Sequence, residues 1–278
     1  MTPLPNAAET ALARAIALVQ APGFEAALDA FLRRVLGGDN LVILAYRQAG
    51  APLVLYHAAD NPAVFANLQP VYVAGAYLLD PFHDLHLRRA PPGVYRLFDI
   101  APDQFQRTRY FGDYYRRTTL HDELTFVCYP GAGLTLNICC GRDASTPRPF
   151  GPAAAETAAR IAPVVNALAE RHWANLPGVD PAATGPGPSR AAGHAATAGH
   201  LRQSLEAVHG IALSPRQAQV ALLILRGHSS VAIGMELDLS PQTVKVFRKQ
   251  LYARCAISTQ AELFALMFPL LTDGQGGD

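Results

Sequence analysis

Phe24, Ala27, Leu28, Phe31, Leu32, Val35 and Leu36 recur at the spacing of one helical face, with Glu25, Asp29, Arg33 and Arg34 off it. The pattern predicts an amphipathic helix that Gly37 and Gly38 stop. Two short apolar runs, 41–47 and 52–58, flank Gln48, Ala49 and Gly50 and predict a β-hairpin. A second hairpin is predicted by residues 124–129, the turn Pro130-Gly131-Ala132-Gly133, and residues 134–140. Helical stretches are predicted near 62–79 and 102–119, and a long helix over 152–173. That order implies an α+β domain, an antiparallel sheet with flanking helices, at about 20–175.

The stretch from Pro177 to His200 holds four Pro, five Gly and seven Ala, with Asp180 and Arg190 as its only charges. Such a composition buries no core, so 176–204 is expected to be a flexible linker. Beyond it, Ser214-Pro215-Arg216-Gln217 combines an N-cap serine, a proline at the first helical position and a glutamine placed to reach back. A helix is predicted from there to Gly227, and a short one from Ser229 to about Leu237. Asp238 stands where a tight turn needs a left-handed backbone, and Ser240-Pro241 starts a third helix through about Arg254. With Ile233, Leu237, Leu239, Val244 and Leu251 to hold it, this is a helix-turn-helix in an all-α domain at about 205–270. The tail from Thr272 is expected to fray.

Charge sharpens the division. Residues 1–176 carry 15 Arg and 15 acidic residues, whereas 201–268 carry seven basic against four acidic, a net of +3. The two lysines of the chain, Lys245 and Lys249, form with Arg248 one cationic face on the third helix, with Val246 beside it. Such a face suits the major groove, where Lys and Arg donate to guanine and a valine touches a thymine methyl. A solvated charged face is the ordinary alternative for this spacing alone; the two caps and the turn reverse the odds.

Residues 213–268 closely resemble the DNA-binding domain of the LuxR/FixJ family. The resemblance rests on Leu213-Ser214-Pro215-Arg216, on Gly227, on the run from Leu239 to Lys245, and on Ala261-Glu262-Leu263 in a fourth helix at about 259–268. It implies base-edge contacts from Lys245, Val246 and Lys249, phosphate contacts from Ser240, Thr243 and Arg248, and a homodimer contact on the fourth helix, with Leu263, Leu266 and Met267 supplying part of it. The chain departs from the family pattern at Gln219, Asp238, Val231-Ala232 and Phe247. Gln219 stands where an acid would make an internal salt bridge, and Val231 is expected to expose an apolar spot.

The resemblance leaves the input domain open, and residues exclude some inputs. Residues 1–176 contain no lysine, which a phosphorylated receiver requires, and no Gly-rich phosphate loop is present. Sensor domains of the PAS or GAF type have the predicted order of elements, and the region resembles the sensors of orphan LuxR-type regulators. In quorum-sensing members an Asp-Pro pair lines an acyl-homoserine-lactone pocket; Asp80-Pro81 resembles that pair and Tyr95 a second pocket aromatic, but Asn67 and Val71 replace the expected Trp and Tyr. A lactone is therefore not the favoured effector. Tyr72, Tyr77, Asp80, Tyr95, Phe111 and Tyr115 are the candidate ligand residues, joined by Phe82 and Tyr114, because tyrosines offer an apolar body and a polar tip. Asp80 equally suits a cap for the turn that Pro81 makes.

Chemistry of other kinds finds weak support. Asp80, His83, Asp84 and His86, and again His121, Asp122 and Glu123, lie close in sequence, but neither spacing fits a metal motif, so no metal, cofactor or enzymatic activity is expected. Cys128, Cys139, Cys140 and Cys255 suit neither a zinc site nor a disulfide scaffold and are expected to be reduced core thiols. Arg107, Arg109, Arg116 and Arg117 are expected to form a solvated face paired with Asp103 and Asp113. No targeting segment or membrane-length apolar run is visible, which argues for the cytoplasm. The whole reads as a ligand-responsive regulator that binds double-stranded DNA at an inverted repeat, as a homodimer, under an unknown small-molecule effector. The alternative makes the first domain a dimerisation or protein-docking module.

Overall fold

The computed structural model describes residues 6–47, 50–176 and 190–272. The expected first helix is α2 (Phe24–Leu36), preceded by α1 (Asn6–Ala17), which the pattern did not announce. Phe24, Leu28, Phe31 and Leu32 are buried, and Gly37 ends α2 with φ 69°, a left-handed backbone that a Cβ would strain.

Both hairpins form, as β1 (Asn40–Arg47) with β2 (Leu53–Ala59) and as β4 (Asp122–Gly131) with β5 (Leu134–Arg142). A short fifth strand, β3 (Gly93–Arg96), completes an antiparallel sheet of order β2-β1-β5-β4-β3. Four residues are too few to show alternation, which is why the sequence pattern passed over it. Leu41, Ile43, Ala45, Phe126, Leu136 and Ile138 point to one face, where they share a core with residues of α2 and of α5 (Pro152–His172). Strand alternation sends Thr125, Val127, Asn137 and Cys139 to the other face, also buried. The four cysteines are free and buried, and burial pushes the Cys128 and Cys140 thiols up, away from the reactive thiolate.

The stretches read as helical near 62–79 and 102–119 are broken. They resolve into the tight turns Pro62–Phe65 and Ala76–Leu79, the wide π turn Leu68–Val73, a tight turn Phe105–Arg107 and a second π turn, Phe111–Tyr115. Pro70 has no amide hydrogen to give to a regular helix. Between these stretches lie α3 (Pro81–Leu87) and α4 (Leu97–Ile100).

Two compact units result. Among the described residues the first comprises 6–66, 89–100 and 118–176, and the second 67–88, 101–117 and 190–272. The segments 67–88 and 101–117 thus group with the carboxyl-terminal helices, whereas sequence order placed them in the domain at 20–175. The second unit also holds α6 (Arg190–His209), α7 (Pro215–Arg226), α8 (Ser230–Leu237), α9 (Pro241–Arg254) and α10 (Gln260–Thr272). Residues 177–189 of the expected linker and 273–278 of the expected frayed tail lie outside the described residues. The rest of that linker is corrected: 190–204 belongs to α6, where Ala198, Leu201 and Leu205 are buried. Its alanine-rich run favours helix, and packing against α7 outweighs its glycines. Among the described residues no helix is long and apolar enough to cross a membrane.

Candidate nucleic-acid interface and sensor cluster

The helices α7, α8 and α9 each start on a local cap. Ser214 Oγ accepts from Gln217 N at 3.2 Å while Gln217 Oε1 accepts from Ser214 N at 3.0 Å, a reciprocal capping box at the head of α7. Ser229 Oγ accepts from Ala232 N at 3.2 Å to start α8, and Asp238 ends it with φ 54°, the left-handed turn residue expected there. Ser240 Oγ accepts from Thr243 N at 3.0 Å to start α9. Ile233, Val244 and Leu251 are buried between the helices, while Leu237 and Leu239 are half-buried. Sequence reasoning missed Gly234, where a Cβ would stand 2.6 Å from the Leu239 carbonyl oxygen. A glycine inside a helix was the available clue to that close approach of turn and helix.

On α9 Lys245, Val246 and Lys249 are exposed. Arg248 is half-buried: its Nε donates to the Tyr252 hydroxyl at 3.2 Å, and its guanidinium lies 5.4 Å from the Tyr252 ring centre. The expected cationic face is therefore two lysines flanking a valine, with Arg248 turned along the helix toward Tyr252. The hydroxyls of Ser240 and Thr243 lie 2.7 Å apart, so both phosphate candidates already serve the cap. Gln219 accepts from Arg216 Nη1 at 3.1 Å, a charged donor on a neutral amide where the family pattern would place an ion pair. Val231 is 52% exposed, as anticipated. In α10, Leu263 and Met267 are fully buried in the unit's own core, so of the three expected dimer contacts Leu266 alone is left partly exposed.

Of the ligand candidates, Tyr72, Tyr77, Asp80, Phe111 and Tyr115 come together in the second unit and are buried. Tyr72 and Phe111 sit in the two π turns, a helix distortion frequent at functional sites. Phe111 stacks on Tyr115 with ring centres 5.6 Å apart, Phe105 meets Phe111 edge-on at 5.4 Å, and Tyr110 stacks on Tyr114 at 5.6 Å. Phe105 and Tyr110 were missed by the sequence reading because no periodicity links them to the rest. Tyr95 belongs to the first unit, half-buried on β3, its hydroxyl donating to the Pro91 carbonyl at 2.7 Å. Opposite it on β4 lies the fully buried Thr125, whose Oγ1 finds no hydrogen-bond partner among the described residues.

Asp80 is the cap that Pro81 invited. Its Oδ1 accepts from Phe82 N at 2.8 Å to start α3, and its Oδ2 accepts from the Tyr72 hydroxyl at 2.7 Å. Burial pushes its carboxyl up to about 6 even though hydrogen bonds from Tyr72, Phe82 N and Tyr110 favour the charged form. Burial likewise pushes Tyr77 up to about 12 and His83 well below the ordinary histidine range. Asp122, from the other acid and histidine group, is fully buried and accepts from Arg96 at 3.0 Å and Phe150 N at 2.8 Å. Arg109 and Arg117 pair with Asp113 at 3.1 and 3.7 Å, whereas Asp103 accepts from Ser229 N instead of from an arginine.

Caps, turn and exposed basic face define a DNA-binding helix-turn-helix domain. Residues 212–267 match the family described as bacterial regulatory proteins, luxR family, so the chain carries a luxR-family domain at its carboxyl end. Over 201 residues, 72% of this chain and 98% of the relative, it is 28% identical to an Aeromonas salmonicida protein named as an HTH-type transcriptional regulator. The crystal structure of the VqsR LBD domain from Pseudomonas aeruginosa is 24% identical, with a TM-score of 0.51 over 60% of this chain and 97% of that one, a likeness of fold. A crystal structure of Escherichia coli SdiA is 14% identical, with a TM-score of 0.42 over 95% of this chain and 97% of that one.

Proposed function

We propose that this regulator is ligand-responsive and binds double-stranded DNA as a homodimer at an inverted repeat in the cytoplasm, with no enzymatic activity of its own. The observation that carries the DNA half is the exposed Lys245, Val246 and Lys249 face on a helix whose start is capped and whose turn is closed. Lys245 and Lys249 donate to base edges and Val246 packs on a thymine methyl. Ser240, Thr243 and Arg248 approach phosphates and set the register without reading sequence. Two half-sites follow from the small number of base pairs that one short helix spans.

The ligand half places Tyr72, Tyr77, Asp80, Phe111 and Tyr115, which share the second unit, at a small, partly polar effector. It is supported by the buried mix of aromatic rings and hydroxyls, by the two π turns and by the likeness of fold to the VqsR LBD domain. Asn67 and Val71 in place of aromatics argue against a long-chain acyl-homoserine lactone. A second reading, with the first region as a dimerisation or docking module, is favoured by the way the aromatic rings of the second unit pack on one another. Operator selection followed by gel-shift titration tests the DNA half. Lys245→Ala and Lys249→Ala should each cost about 1 to 3 kcal/mol of specific binding. A double variant that binds the selected operator like the wild type refutes the assignment.

A further inference from the structure

The start of α8 is held by groups from outside the helix-turn-helix. Asp103 Oδ1 accepts from Ser229 N, the N-cap amide of α8, at 2.9 Å. The next residue, Gln104, donates its backbone amide to the Gly227 carbonyl at 2.9 Å. Gly227 has φ 94°, and a Cβ there would stand 2.8 Å from Phe105 Cα, so the approach of the two backbones depends on glycine. Arg226, also buried, donates from Nε to the Leu78 carbonyl at 3.0 Å. Farther along α8, Glu236 lies 3.5 Å from His194 Nδ1, and the other ring nitrogen of His194 lies 2.8 Å from Asp84. Both ends of the scaffold helix are therefore tied to residues 78–84 and 103–104, which adjoin the aromatic cluster in the stretches 67–88 and 101–117.

Asp103 brings a negative charge to a place where DNA brings one too. In a helix-turn-helix the scaffold helix crosses the phosphate backbone, and helix amino termini supply backbone donors to phosphate oxygens. A carboxylate on the Ser229 amide takes that donor and repels an arriving phosphate. The charged state of Asp103 is favoured here: burial pushes its carboxyl up, but the hydrogen bonds from Ser229 outweigh burial and hold it below the usual range. We propose that Asp103 is an intramolecular substitute for a DNA phosphate at the head of α8, an autoinhibitory contact that must open before the helix-turn-helix seats fully on its operator. The proposal rests on the DNA-binding reading above. It also gives the sensor cluster a route to the DNA, because Gln104 adjoins Phe105, whose ring packs against Tyr110, Phe111 and Tyr115.

The test uses the full chain. Asp103→Ala removes both the bond and the charge and should raise affinity for the selected operator about tenfold, while amide hydrogen exchange at Ser229 speeds up. Asp103→Asn keeps an acceptor and loses the charge, so it should raise affinity less and keep Ser229 protected. Exposed Asp99, changed to Ala, is the control and should leave both readings at wild-type values. Unchanged or weaker operator binding by Asp103→Ala overturns the contact even if Ser229 exchange speeds up. Should the alanine variant unfold, the affinity of Asp103→Asn decides alone, and a wild-type value overturns the proposal. Failure of the wild type and of every variant to bind any selected sequence refutes the DNA-binding reading itself, and the proposal falls with it.

Discussion

Asp80→Asn isolates the cost of a buried charge. The carboxyl is fully buried with a folded-state pKa of about 6, against 3.8 when free in water. A folded pKa raised above the unfolded one means that the native state favours the protonated form. Its stabilising contribution is whole below pH 3.8, is lost as pH climbs to about 6, and stays lost above that. Two pKa units at about 1.4 kcal/mol each correspond to about 3 kcal/mol, most of it between pH 4 and pH 7. Asparagine caps a helix as well as aspartate does, so Phe82 N keeps its acceptor, and the Tyr72 hydroxyl faces an amide in place of a carboxylate. Urea unfolding of wild type and variant, followed by circular dichroism at pH 4, 5, 6 and 7, should show the variant gaining about 2 to 3 kcal/mol on the wild type across that range. Parallel curves would show that Asp80 carries no raised pKa, and the reasoning from burial would fail.

Arg248→Ala should weaken binding to all DNA sequences about equally and reduce the salt slope by about one, read from titrations at several salt concentrations. Gly234→Ala should lower the melting temperature, because a Cβ 2.6 Å from the Leu239 carbonyl meets backbone that has to move, and overpacking of this kind costs about 1 to 3 kcal/mol. Native mass spectrometry of the operator complex should give two protein chains per duplex; one chain, or a selected site without an inverted repeat, contradicts the dimer. A thermal-shift screen of small, partly polar molecules should find an effector that raises the melting temperature of the full chain, and a comparable shift with acyl-homoserine lactones would overturn the effector assignment.

Local chemistry determined what was legible without the structure. The caps at Ser214, Ser229 and Ser240 join a side chain to a backbone amide three residues on, so the sequence contains both partners side by side. The two hairpins were equally plain, since alternation and turn residues are contiguous. Tertiary packing decided the rest. It turned the carboxyl half of the expected linker into α6 by giving Leu201 and Leu205 a core to enter, and it drew Leu263 and Met267 inward, away from their expected place in a dimer contact. Periodicity states that a face is apolar, but not which surface covers it. Asp103 lies 126 residues from the amide it caps, and no pattern along the chain relates the two. Only folding brings that carboxylate to the head of the scaffold helix, since a hydrogen bond is set by position in space, and at that separation the sequence carries no record of it.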